Sequence, residues 1–131
     1  LSLIQPWYFT YYMDDTVVRL TGIVLLFTSL MINILAYRKF KKFLTPHAPF
    51  VKPKVLIQNG VFALSRNPVY LALVLSMCGL AFVFDTFWLF LSAAVLLTVL
   101  DTVIIPGEEK ILKGAFYKDY EDYKNKTRRW L

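Results

Sequence analysis

Residues 68–106 read PVYLALVLSMCGLAFVFDTFWLFLSAAVLLTVLDTVIIP, an apolar run with only two charged side chains, Asp85 and Asp101. The run is close to twice the ~20 residues that a helix needs to cross a hydrocarbon core. Asp85 stands near its middle, between Phe84 and Thr86. The run therefore divides into a helical hairpin: one helix over 68–84, a tight turn at Asp85, and a second helix over 86–106 that Pro106-Gly107 is expected to stop.

Upstream, residues 16–36 form a second apolar block of spanning length, interrupted only by Arg19. Arg19 lies within a turn of the block's start, where a long side chain snorkels to the headgroups. Three transmembrane helices result, and the fold class is an all-α integral membrane bundle. Residues 1–15 are aromatic (Trp7, Tyr8, Phe9, Tyr11, Tyr12) but too short to span, and read as an interfacial segment or the stump of a further helix. Residues 37–67 form a basic loop. In the tail, residues 107–131, the spacing of Ile111, Leu112, Ala115, Phe116, Tyr120 and Tyr123 predicts an amphipathic helix over 108–124. The whole chain is one domain.

Composition agrees. Of 131 residues, 57% are hydrophobic and 18% charged, with a mean hydropathy of +0.51, beyond the usual apolar share of soluble domains. The net charge of +6 is unevenly placed. No Lys or Arg precedes Arg19 or stands at the Asp85 turn, whereas the loop and the tail are rich in both. By the positive-inside rule the loop and tail face the cytosol and the N-terminus faces away. Charge distributed in this way reflects topology, not nucleic-acid binding. A single His, His47, and a single Cys, Cys78 within the apolar run, give no metal-ligand set and no disulfide.

The hairpin brings its two ends to the same cytosolic rim. One end carries Ser65-Arg66-Asn67-Pro68 with Tyr70 a turn later, and the other carries Glu108 and Glu109. An Arg, an amide, a phenol and two carboxylates thus converge. Taken singly, each also has a plain explanation: Arg66 on lipid phosphates, Glu108 and Glu109 opening the tail helix and pairing with Lys113. Asp101, an acid about a turn inside the second hairpin helix, is expected to face the protein interior and mark a site or a partner.

Residues 56–71, LIQNGVFALSRNPVYL, resemble the signature that ends in SRNP.YLG in the isoprenylcysteine carboxyl methyltransferase family, which includes the phospholipid N-methyltransferases. The run PGEEKIL at 106–112, followed by Phe116, Tyr120, Tyr123 and RRWL at 128–131, resembles that family's ending. Pro46-His47-Ala48-Pro49 resembles its preceding loop. Asn67 stands where many members have His, and Ala72 where Gly is usual. The family normally carries at least one more N-terminal helix.

The resemblance implies an integral membrane methyltransferase that uses S-adenosylmethionine bound at the cytosolic end of the hairpin. By position, Arg66, Asn67, Tyr70, Glu108 and Glu109 would line the cofactor pocket, with Leu56 and Gly60 bordering the adenosine. Arg66, Tyr70 and Glu109 are the catalytic candidates. The acceptor would be a lipophilic, membrane-borne carboxylate, thiol or amine, entering laterally beside the first hairpin helix. There Ala72, Ser76 and Gly79 either leave room for a lipid chain or form a packing seam. Two other readings share this architecture: a membrane sterol-type reductase using NADPH, and a non-catalytic subunit that retains the fold.

Overall fold

The structure, a computed structural model, describes residues 8–43 and 53–131. His47 and its flanking prolines, like residues 1–7, lie outside the described residues. Those described are all helical, without a strand. A 3-10 turn at Phe9–Tyr11 precedes α1 (Asp15–Lys42), a short α2 (Val61–Leu64), α3 (Pro68–Val83) and α4 (Phe87–Val99). A π turn (Leu100–Ile104), α5 (Ile105–Phe116) and α6 (Lys118–Lys126) complete the chain.

Local chemistry sets these ends. The Asp14 carboxylate accepts from the Thr16 amide and opens α1, while Lys39, Lys41 and Lys42 complement the dipole at its last turn. Pro68 takes the first turn of α3, where its missing N–H leaves nothing unpaired. The Thr86 hydroxyl accepts from the Trp88 amide and opens α4.

α1 packs antiparallel on α3 along small residues spaced seven apart. Gly22, Ser29 and Ala36 are buried on α1, and Ala72 and Gly79 on α3. A side chain carbon added at Gly22 would lie 2.8 Å from the Gly79 carbonyl oxygen, and one at Gly79 would lie 3.0 Å from that of Gly22. Halfway along, the buried Ser29 hydroxyl donates to the Ala72 carbonyl at 2.7 Å. Backbones this close are held by van der Waals contact and interhelical hydrogen bonds, the forces left to helices in lipid. Ala72 and Gly79 thus form the seam with α1 and leave no room for a lipid chain. On its other side α3 packs against α4.

At the hairpin end, Asp85 adopts a positive φ of 53°. Its carboxylate receives the Thr10 amide at 2.9 Å and the Thr10 hydroxyl. The Phe9 ring packs on Phe82 and Phe87 at centroid distances of 4.5 and 4.1 Å. The segment before α1 therefore closes the hairpin. At the opposite end Ala36, Ile57, Val61 and Phe62 form a second small core.

The helix does not stop at Pro106-Gly107. It runs without a break from Phe87 to Phe116, 30 residues, because the π turn absorbs the proline. In this turn the Ile105 amide bonds to the Leu100 carbonyl, five residues back. The next donor in that register would be residue 106, a proline without N–H, and the wider turn relieves the ring's clash with the preceding carbonyls. Glu108 and Glu109 consequently sit inside a helix rather than at its start. The tail is likewise not one amphipathic helix, since Tyr117 takes a φ of 48° and separates α5 from α6.

α1 and Phe87–Phe116 are each long and apolar enough to cross a membrane. α3, with 16 residues, is a shorter apolar helix of about 24 Å against a core of about 30 Å. Leu20, Val24 and Phe27 on α1 and Leu91, Val95 and Val103 on the long helix stand exposed, an apolar surface suited to lipid.

Candidate active site

The loop between α2 and α3 is stitched to the tail mostly through backbone atoms. The Arg66 amide donates to the Arg128 carbonyl at 3.0 Å, and the Asn67 side-chain amide donates to the Arg129 carbonyl at the same distance. The buried Ser65 hydroxyl donates to that carbonyl too and accepts from the Asn67 amide. Tyr123, buried on α6, donates its hydroxyl to the Phe62 carbonyl at 2.6 Å, and Thr127 donates to Ala63. The tail is thereby a strap that fixes the loop against the C-terminal half of the long helix.

This arrangement drives the Arg66 side chain, 10% exposed, against α5. Its Nη1 donates to Glu109 Oε2 at 2.8 Å and to the Tyr120 hydroxyl at 3.1 Å, and that hydroxyl donates in turn to the same Glu109 oxygen. Arg66 Nε is buried without a partner among the described residues. The other Glu109 oxygen receives Arg129 Nη2. Arg129 Nη1 donates to the Asp101 carboxylate at 3.0 Å and to the Asp101 carbonyl, and Trp130 Nε1 donates to the same carboxylate oxygen at 3.1 Å. Tyr70 donates to Glu108 Oε1 at 2.6 Å.

Burial, reinforced by the Glu109 charge, pushes the Tyr120 phenol up to about 12, so it stays protonated and able to donate. Burial raises Tyr123 as well.

Arg66, Asn67, Tyr70, Glu108 and Glu109 are thus brought to one place. No hydrogen bond or ion pair among the described residues joins Leu56 or Gly60 to this cluster: Leu56 is half-buried in the segment leading to α2. Gly60, at a φ of 64°, opens α2 with its Cα face against the Lys39 side chain of α1. Lys113 pairs with Glu121 across the Tyr117 break, not with Glu108 or Glu109.

The profile of the phospholipid methyltransferase family matches residues 17–119. The chain belongs to this family. It is therefore a membrane protein of the isoprenylcysteine carboxyl methyltransferase-like group, and a methyltransferase. No match is found among curated proteins or solved structures.

The family match takes in Arg66, Asn67, Tyr70, Asp101, Glu108 and Glu109, and ends one residue before Tyr120. Three members of the cluster, Tyr120, Arg129 and Trp130, escaped the sequence reading as site residues. The sequence places Tyr120 on an amphipathic face and, with the two tail residues, in a terminal motif. The signal for Arg129 was Asp101 itself, because an acid in an apolar helix calls for a cationic partner.

Proposed function

We propose that this protein transfers a methyl group from S-adenosylmethionine to a lipophilic, membrane-borne carboxylate, thiol or amine. The cofactor lies at the Arg66, Glu108 and Glu109 end of the α3–α4 hairpin. The observation that carries this is the unpartnered Nε of a buried Arg66. One edge of the guanidinium is committed to Glu109 and Tyr120, which leaves Nε to receive a carboxylate such as that of the cofactor's methionine moiety.

Charge supports the same assignment. Arg66 and Arg129 face Asp101, Glu108 and Glu109, two cations against three carboxylates. The remaining negative charge suits a ligand carrying a sulfonium, an ammonium and one carboxylate. It opposes a phosphorylated dinucleotide, and with the family match this disfavours the NADPH-dependent reductase.

When bound, the cofactor supplies an electrophilic methyl group. The residues of the chain bind, orient and exclude water. Arg66 and Asn67 are fixed by the strap, and Glu108 is fixed by the Tyr70 hydroxyl. The small exposure of Arg66 and Glu109 keeps the ionic contacts in a low-dielectric setting, where they are strongest. In-line displacement depends chiefly on such alignment.

We further propose that α1, α3 and the long helix form three spans, with the N-terminus outside and the site at the cytosolic face. The basic loop and tail support this. The acceptor then reaches Tyr70 along a face of α3 that α1 does not cover.

Titration calorimetry of the detergent-solubilised protein with S-adenosylmethionine and with NADPH tests the reading. Binding of the first and not the second is expected; binding of NADPH, or of neither, refutes it.

A further inference from the structure

We infer that Arg129, held by Asp101 and Trp130, is a positioning residue for Glu109. The inference rests on the methyltransferase reading above and extends it to a group outside the cofactor pocket.

The device begins with Pro106. In the π register the Asp101 carbonyl would pair with residue 106, which has no N–H, and Arg129 Nη1 takes that carbonyl together with the Asp101 carboxylate. Trp130 Nε1 donates to the same carboxylate oxygen and helps to fix it. Arg129 Nη2 is then directed at Glu109 Oε1, while Arg66 and Tyr120 hold Oε2. Both oxygens of Glu109 have keepers, and the two sets come from different parts of the chain.

Helix phase explains why one guanidinium reaches both acids. In an uninterrupted α-helix, at about 100° per residue, Asp101 and Glu109 would be turned about 80° apart. The π turn adds one residue to a turn and takes up most of that offset, so that the two carboxylates share a face. Proline, π turn, Asp101 and Arg129 thus form a single unit that aims a carboxylate about two turns away.

A planar fork is required, since the ammonium of Lys is a single point and cannot bridge three oxygens. In calorimetry with S-adenosylmethionine, Arg129→Lys and Asp101→Ala are each expected to weaken binding about tenfold. Asp101→Asn, whose amide oxygen still accepts from Trp130 and Arg129, removes the same charge as Asp101→Ala but keeps the acceptor and should lose clearly less binding than Asp101→Ala. In a Glu109→Gln background, Arg129→Lys should have little further effect.

A readout free of the cofactor accompanies this. The Trp130 indole N–H resonance, assigned by its loss in Trp130→Phe, should move in Glu109→Gln, although Glu109 hydrogen-bonds to neither Trp130 nor Asp101. An unmoved indole signal, full loss in Asp101→Asn, or additive losses in the double variant would each overturn the positioning role. If wild-type protein binds no S-adenosylmethionine, the proposed function falls, and the indole resonance alone decides the inference.

Discussion

Three helical glycines of this chain, Gly22, Gly79 and Gly114, respond differently to the same substitution. In each case Gly→Ala removes unfolded-state freedom and raises helix propensity, a gain of about 0.5–1 kcal/mol where the new methyl group fits. At Gly114 it meets nothing within 4 Å, so Gly114→Ala should raise stability by about that amount. At Gly22 it lies 2.8 Å from the Gly79 carbonyl oxygen and 2.8 Å from Val83 Cγ2, and one of these is backbone that cannot rotate away. Relieving the contact requires α1 and α3 to part by about half an ångström, a gap that forfeits a quarter or more of each dispersion contact along the seam. Overpacking of this kind costs about 1–3 kcal/mol, so Gly22→Ala should be destabilising by about 1–2 kcal/mol after the propensity gain. Gly79→Ala should be somewhat milder, because its nearest neighbour is the Leu26 side chain at 2.9 Å and its backbone contact, with the Gly22 carbonyl oxygen, is longer at 3.0 Å. Denaturation in mixed micelles followed by circular dichroism measures all three. Equal or higher stability of Gly22→Ala, or loss of stability in Gly114→Ala, would refute the close seam.

Arg66→Ala and Glu109→Gln should each weaken S-adenosylmethionine binding by about tenfold to a hundredfold, the loss of a charge-assisted contact worth about 1.5–3 kcal/mol. Lys113→Ala, at an exposed pair with Glu121, should leave it unchanged in the same calorimetric titration. Because the folded Tyr120 phenol titrates at about 12 and the unfolded one near 10, its stabilisation is complete below pH 10 and lost as pH rises through 12. Tyr120→Phe should flatten that alkaline decline in a pH series of melting curves. Asp85→Ala loses both Thr10 hydrogen bonds at a positive φ and should lower stability by about 1–2 kcal/mol, whereas Asp85→Asn, which keeps an acceptor and tolerates that φ, should lose less.

The meeting of Arg66, Asn67 and Tyr70 with Glu108 and Glu109 was legible because a hairpin's length and its central acid decide which ends come together. The unbroken helix through Pro106-Gly107 was not. The stop rule for proline assumes α-helical register, and a π turn suspends it without a mark in composition. The break at Tyr117 was equally hidden, since the residue that takes the positive φ is neither Gly nor Asn. Ala72 and Gly79 looked the same whether they lined a channel or a seam. The deciding signal lay on the partner helix, where Gly22, Ser29 and Ala36 repeat the same seven-residue interval.

The strap illustrates a deeper limit and also gives the site its logic. The Arg66 amide and the Ser65 and Asn67 side chains bond to backbone carbonyls of residues 128 and 129, groups that every residue type offers. No pattern of side chains could announce them. The consequence is electrostatic. A buried arginine beside carboxylates at the end of an apolar helix is tolerated only where each charge has a partner. The helices supply the acids and one loop supplies Arg66, while the second cation arrives from the tail. The strap therefore brings Arg129 to two acids that Arg66 alone could not neutralise. The strap leaves Arg66 Nε unmatched and one carboxylate in excess, and these two features are what the proposed function assigns to a small, net cationic ligand bearing its own carboxylate.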